Sequence, residues 1–116
     1  MQAYRGPDRR KHPRLVINFV VSYRVKEIPD NCDLSQTKNV SQGGMLLTTN
    51  RRFHPGTQLA MSIRFPFVSQ RINLTGEVVD SREVVRDLIY ETRLRFIGVD
   101  EEFFKKLGDF IQKHLK

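Results

Sequence analysis

Arg10 and Arg14 stand four residues apart in the segment Arg9-Arg10-Lys11-His12-Pro13-Arg14, and Pro13 keeps that segment from being helical. In an extended backbone both side chains can converge on one ligand. A guanidinium is planar: it grips a phosphate or the O6/N7 edge of guanine through paired hydrogen bonds and stacks on a base, whereas lysine supplies only a point charge. The chemistry open to this pair is recognition of anions and purines. A second cluster, Asn39-x-Ser41-x-x-Gly44, sets a short amide and a hydroxyl beside Gly43 and Gly44. The paired glycines predict a tight turn with positive φ whose bare amides can approach a ligand closely, with Asn39 offering an acceptor and donors and Ser41 a hydroxyl. Taken singly, the first cluster is most often a solvated basic tail and the second most often a hairpin or loop.

Other chemistries lack their residues. Ser41 has no histidine signature around it, so nucleophilic catalysis has no base and no enzyme is expected. His12, His54 and His114 fall in separate elements and Cys32 is the only cysteine, which leaves no metal set, no intrachain disulfide and no cofactor to expect. The formal charge of +7 favours an anionic partner, and between Met1 and Arg14 the cations Arg5, Arg9, Arg10, Lys11 and Arg14 face only Asp8. Much of the excess charge thus sits on the arginine arm.

These groups need a scaffold, and 116 residues suffice for one core. Residues 1–14 read as an extended arm and residues 15–116 as a single barrel domain. Leu15, Ile17, Phe19, Val21, Tyr23 and Val25 alternate with polar positions and predict one long half-buried strand. Pro29 to Asn31 supply a turn, a short strand precedes the glycine turn, and Met45 to Thr49 follows as the next strand. Two more strands are read around Leu59 to Phe65 and Ile72 to Val79. In a last one, Leu88, Tyr90, Thr92, Leu94 and Phe96 point inward and Glu91, Arg93 and Arg95 outward, until Gly98 ends the run. From Asp100 the period becomes helical, predicting an amphipathic helix over 101–115 that buries Phe103, Phe104 and Phe110 against the barrel. Five or six strands and one helix make a mainly β, antiparallel barrel covered by that helix.

Arg10-x-x-x-Arg14 ahead of the first strand, followed by Asn39-x-Ser41-x-x-Gly44, resembles the PilZ family, and the resemblance covers nearly the whole chain. It implies a six-stranded antiparallel barrel that binds cyclic di-GMP, with the arm wrapping the ligand and the Asn/Ser turn contacting a guanine. On that resemblance Arg10 and Arg14 pair with phosphate and guanine, Asn39, Ser41, Gly43 and Gly44 form the turn contact, and Arg9 helps hold a second, intercalated ligand molecule. Two positions depart from the family pattern. Asn39 stands where Asp is commoner, which removes a charge and keeps the carbonyl acceptor. The strand over Val79 to Ser81 carries Asp80 in place of an aromatic residue, with Arg82 nearby as an additional contact.

The expected function is a receptor in which ligand orders the arm and changes a surface offered to an effector protein. The alternatives are a basic barrel binding RNA or single-stranded DNA, which salt dependence would distinguish, and a PilZ adaptor without ligand, which the two intact motifs disfavour. No apolar run approaches the roughly 18 residues a membrane span requires, and no secretory leader pattern opens the chain, so cytoplasmic residence without membrane insertion is expected.

Overall fold

The alternation predicted for Leu15 to Val25 holds in the side chains: Leu15, Phe19, Val21 and Tyr23 are buried, while Val16, Asn18 and Val20 are exposed. The backbone ladder is shorter. In this computed structural model, which describes residues 12–28 and 32–115, strand β1 spans only Val20–Val25, and Leu15 makes an isolated antiparallel bridge to Val40. A side chain fills the gap between them. Thr37, fully buried, sends its backbone N–H to the Phe19 carbonyl (2.9 Å), accepts the Phe19 N–H on Oγ1 (2.8 Å) and donates that hydroxyl to the Ile17 carbonyl (2.7 Å). Thr37→Val keeps the shape but leaves the Phe19 N–H and Ile17 carbonyl unpaired. It should cost about 2 kcal/mol, read as a lower urea midpoint at unchanged m-value, while Thr37→Ser retains most of the stability.

Five further strands complete the sheet: β2 (Asp33–Val40), β3 (Gly44–Thr49), β4 (Gln58–Ile63), β5 (Ile72–Val85) and β6 (Ile89–Ile97). All pairings are antiparallel and the sheet closes in the order β1-β2-β3-β6-β5-β4, the expected six-stranded barrel. The strand before the glycine turn is not short: β2 takes in the polar stretch from Asp33, because a strand with one face on the core needs apolar or small residues only at alternate positions.

Val21, Tyr23, Leu47, Leu59, Ile63, Val78 and Leu94 fill the interior. Burial, aided by the nearby Asp33 charge, pushes the Tyr23 phenol above its ordinary pKa and keeps it neutral. Helix α1 (Glu101–His114) begins at Asp100, whose carboxylate accepts the Phe103 N–H at 2.7 Å. Phe103, Leu107 and Ile111 join the barrel core, with the Phe103 and Phe110 rings against Phe65, Phe67 and Phe19.

Two side chains expected inside are not. Leu88 is 64% exposed in the β5–β6 turn, where Asp87 takes φ 60° and breaks the alternation before β6 starts. Phe104 is 37% exposed, since it lies one position round the helix from Phe103 and faces the His12 ring rather than the barrel.

Candidate ligand-binding site

Two β-bulges decide which side chains reach the candidate site. Along β2 the register steps from Thr37↔Leu47 to Asn39↔Leu46, so Lys38 is an extra residue and the inward parity flips. Thr37 and Val40 are both fully buried as a result, and Asn39 falls on the outer side. Without the bulge Asn39 would point into the barrel. Along β5 the register steps from Val78↔Leu94 to Asp80↔Arg93, which makes Val79 the extra residue: Val79 points outward as alternation after the buried Val78 requires, and Asp80, which would otherwise point into the barrel, is turned outward as well.

The outer surface thus gains a cavity of about 160 Å³ lined by Arg14, Asn39, Ser41, Gly43, Gly44, Met45, Val79, Arg93, Leu94 and Arg95. The two sequence clusters, separate in the chain, share it through Arg14 on one side and Asn39, Ser41, Gly43 and Gly44 on the other. Leu15 sets this geometry: its N–H and carbonyl bond to the carbonyl and N–H of Val40 at 2.8 and 2.9 Å, which fixes the root of Arg14 beside the turn. Arg9 and Arg10 lie outside the described residues.

The turn is built differently from the expectation. Neither Gly43 nor Gly44 has positive φ; among the described residues the glycines that do are Gly56 and Gly98. Gly44 is demanded by proximity instead, because a Cβ there would stand 1.9 Å from the Leu94 carbonyl oxygen on β6. Ser41 closes the turn, its Oγ accepting from the Gly43 and Gly44 amides at 3.2 Å each and its N–H donating to the Gly44 carbonyl at 2.8 Å. The hydroxyl read as a ligand contact therefore also holds the turn together.

Arg93 and Arg95 are site residues that the motifs do not contain. Their signal is the β6 alternation, which points both outward beside Gly44, whose register partner is Arg95. Arg95 is ion-paired with Glu77 across the β5–β6 ladder. Arg82 does not line this cavity. It lies in a neighbouring depression with Arg52, Asp80 and Glu83, and donates to Glu91 at 2.9 Å. Arg93 lines both depressions. The apolar wall that Asp80 could not provide comes from its neighbour Val79, which lines the cavity. Cationic forks, the Asn39 amide and an apolar wall suit an anionic ligand with a flat polar ring.

The family model of the PilZ domain matches residues 8–113. The chain belongs to the PilZ domain family. Among solved structures, this PilZ domain is similar to the Bacillus subtilis inhibitor of motility MotI/DgrA (TM-score 0.77, 17% identity), covering 92% of this chain and 51% of that one. It is also similar to the PilZ domain of Escherichia coli YcgR solved with c-di-GMP (TM-score 0.68, 13% identity; 91% of each chain). A third likeness is to Borreliella burgdorferi PlzA in complex with c-di-GMP (TM-score 0.64, 16% identity; 90% of this chain and 41% of that one). The chain thus spans about half the length of MotI/DgrA and nearly all of the isolated YcgR domain, and at these identities the likeness establishes the fold. No curated protein matches the sequence significantly. No helix among the described residues is long and apolar enough to cross a membrane, and no group of three or more His, Cys, Asp or Glu among them could hold a metal ion.

Proposed function

We propose that this PilZ domain is a cyclic di-GMP receptor, with Arg14, Asn39, Ser41, Gly43 and Gly44 forming the ligand cavity and Arg9 and Arg10 reaching the ligand from the arm. The observation that carries the reading is convergence: Arg14 lines the same cavity as Asn39, Ser41 and Gly44, with Arg93 and Arg95 adding two further guanidinium groups. Phosphates suit the guanidinium forks, a guanine edge suits the Asn39 amide and the turn, and Val79 offers an apolar surface to a base. Arg9 supports a second, intercalated ligand molecule. Ordering of the arm over the cavity is the signal, passed to an effector protein as a changed surface; the domain itself performs no chemistry.

Isothermal titration calorimetry at physiological salt tests this with cyclic di-GMP, cyclic di-AMP and GMP. Saturable binding selective for cyclic di-GMP is expected, with two ligands per chain if Arg9 holds an intercalated pair. Absence of heat, or equal response to all three nucleotides, overturns the receptor reading. Binding to unrelated oligonucleotides that collapses with salt would assign the positive charge to nucleic acid instead.

A further inference from the structure

Gln42 occupies an unspecified position inside the Asn39-x-Ser41-x-x-Gly44 cluster, yet its side chain leaves the turn and crosses to α1. Its Nε2 donates to the Phe104 carbonyl at 2.9 Å, from 62 positions away in the chain. In helical geometry that carbonyl is also the acceptor for the amide of Gly108, and its second lone pair can take Gln42. The seat exists because Gly108 has no side chain: a Cβ there would stand 2.1 Å from Gln42 Nε2 and 2.5 Å from its Cδ. Phe104 is approached from a second direction, its ring meeting His12 edge-on at 5.5 Å between centroids. His12 in turn covers Gly43, where an added Cβ would lie 3.2 Å from the imidazole Cδ2. The end of the arm, the glycine turn and the helix therefore meet around Phe104, which accounts for an aromatic residue at helical spacing that the core does not use.

We propose that Gln42 is a positioning residue that fastens the Asn39–Gly44 turn to α1, so that the helix and the ligand cavity share one equilibrium. The ligand half of this statement rests on the receptor reading above; the fastening does not. Linkage makes the coupling reciprocal: ligand that prefers the fastened turn must protect α1, and loosening the turn from α1 must weaken binding by the same factor.

Amide hydrogen exchange of the full chain, with and without cyclic di-GMP, tests both halves. Gln42→Ala is expected to speed exchange at Ser41 and Gly44 in the absence of ligand, to lower affinity about three- to tenfold, and to abolish ligand-induced protection of α1. Gly108→Ala gives the decisive sign. By propensity alone, alanine strengthens a helix interior and leaves the turn untouched. On the proposal, the new methyl displaces the flexible Gln42 amide and reproduces the Gln42→Ala exchange and affinity, and in the Gln42→Ala background it no longer harms either. Wild-type exchange at Ser41 and Gly44 in Gln42→Ala, or a Gly108→Ala protein with full affinity and a merely firmer helix, overturns the proposal. If the wild-type chain fails to bind cyclic di-GMP, the receptor reading falls, and ligand-free exchange still decides whether Gln42 fastens the turn.

Discussion

Arg14→Ala is expected to lower cyclic di-GMP affinity by about ten- to a hundredfold while leaving the barrel folded. Hydrogen bonds to a charged group contribute about 1.5–3 kcal/mol each, and one such loss at a phosphate or guanine edge corresponds to that range of affinity. The fold should survive because the anchor lies one residue further on: the paired bonds between Leu15 and Val40 are made by backbone and do not involve the Arg14 side chain. Arg14→Lys separates charge from shape, since an ammonium keeps the attraction but not the planar fork, and it should recover only a small part of the loss. Calorimetry of the two variants beside wild type, with thermal melts as a control for folding, reads all three effects. Unchanged affinity in Arg14→Ala at an unchanged melting temperature would move recognition to Arg93 and Arg95, which line the same cavity.

The parts of this molecule legible in its sequence are those governed by local rules. Alternation identifies the inward residues from Leu15 through Tyr23, the switch to helical period after Asp100 identifies α1, and residue chemistry singles out Arg14, Asn39, Ser41 and Gly44, which line one cavity. The parts that were not legible depend on register. A bulge is one residue by which two strands disagree, and nothing in Lys38 or Val79 marks either as the extra one, yet these two residues turn Asn39 and Asp80 outward. Arg82 read as close to the site along the chain, whereas beyond the second bulge its side chain joins Glu91 in a separate depression. Period alone puts Leu88 and Phe104 inside, but each meets a neighbour the period does not contain, the Asp87 turn and the His12 ring. Arg93 and Arg95 were visible as outward residues, but only the pairing of β6 with β3 shows that outward there means beside Gly44.

Gly44→Ala should be the most destructive of these substitutions to the fold, and the reason differs from the one the glycine pair suggests. A turn needing positive φ would penalise alanine through backbone strain, but Gly44 has no such φ. The penalty is collision: the new Cβ would lie 1.9 Å from the Leu94 oxygen and 3.0 Å from the Leu94 carbonyl carbon and the Arg95 Cα. All three are backbone atoms of β6, so no rotamer change relieves the contact and β3 must move off β6 at the Gly44↔Arg95 pair. That shift also strains the Phe96 N–H bond to the Gly43 carbonyl and the Ser41 N–H bond to the Gly44 carbonyl, both 2.8 Å long. A cost of about 3 kcal/mol or more is expected, a large fraction of a small domain's stability, with a Tm lower by about 10 °C or more. Gly43→Ala provides the contrast, since its Cβ would crowd the His12 ring at 3.2 Å, which can move, and otherwise meets Ser41 Oγ at an ordinary 4.0 Å. Gly44→Ala melting within about 2 °C of wild type would mean that β3 and β6 stand further apart than this packing requires. Loss of ligand binding in Gly44→Ala follows from disruption of the barrel wall and does not by itself place Gly44 against the ligand, whereas a loss confined to Arg14→Ala, in a barrel that melts normally, does place Arg14 there.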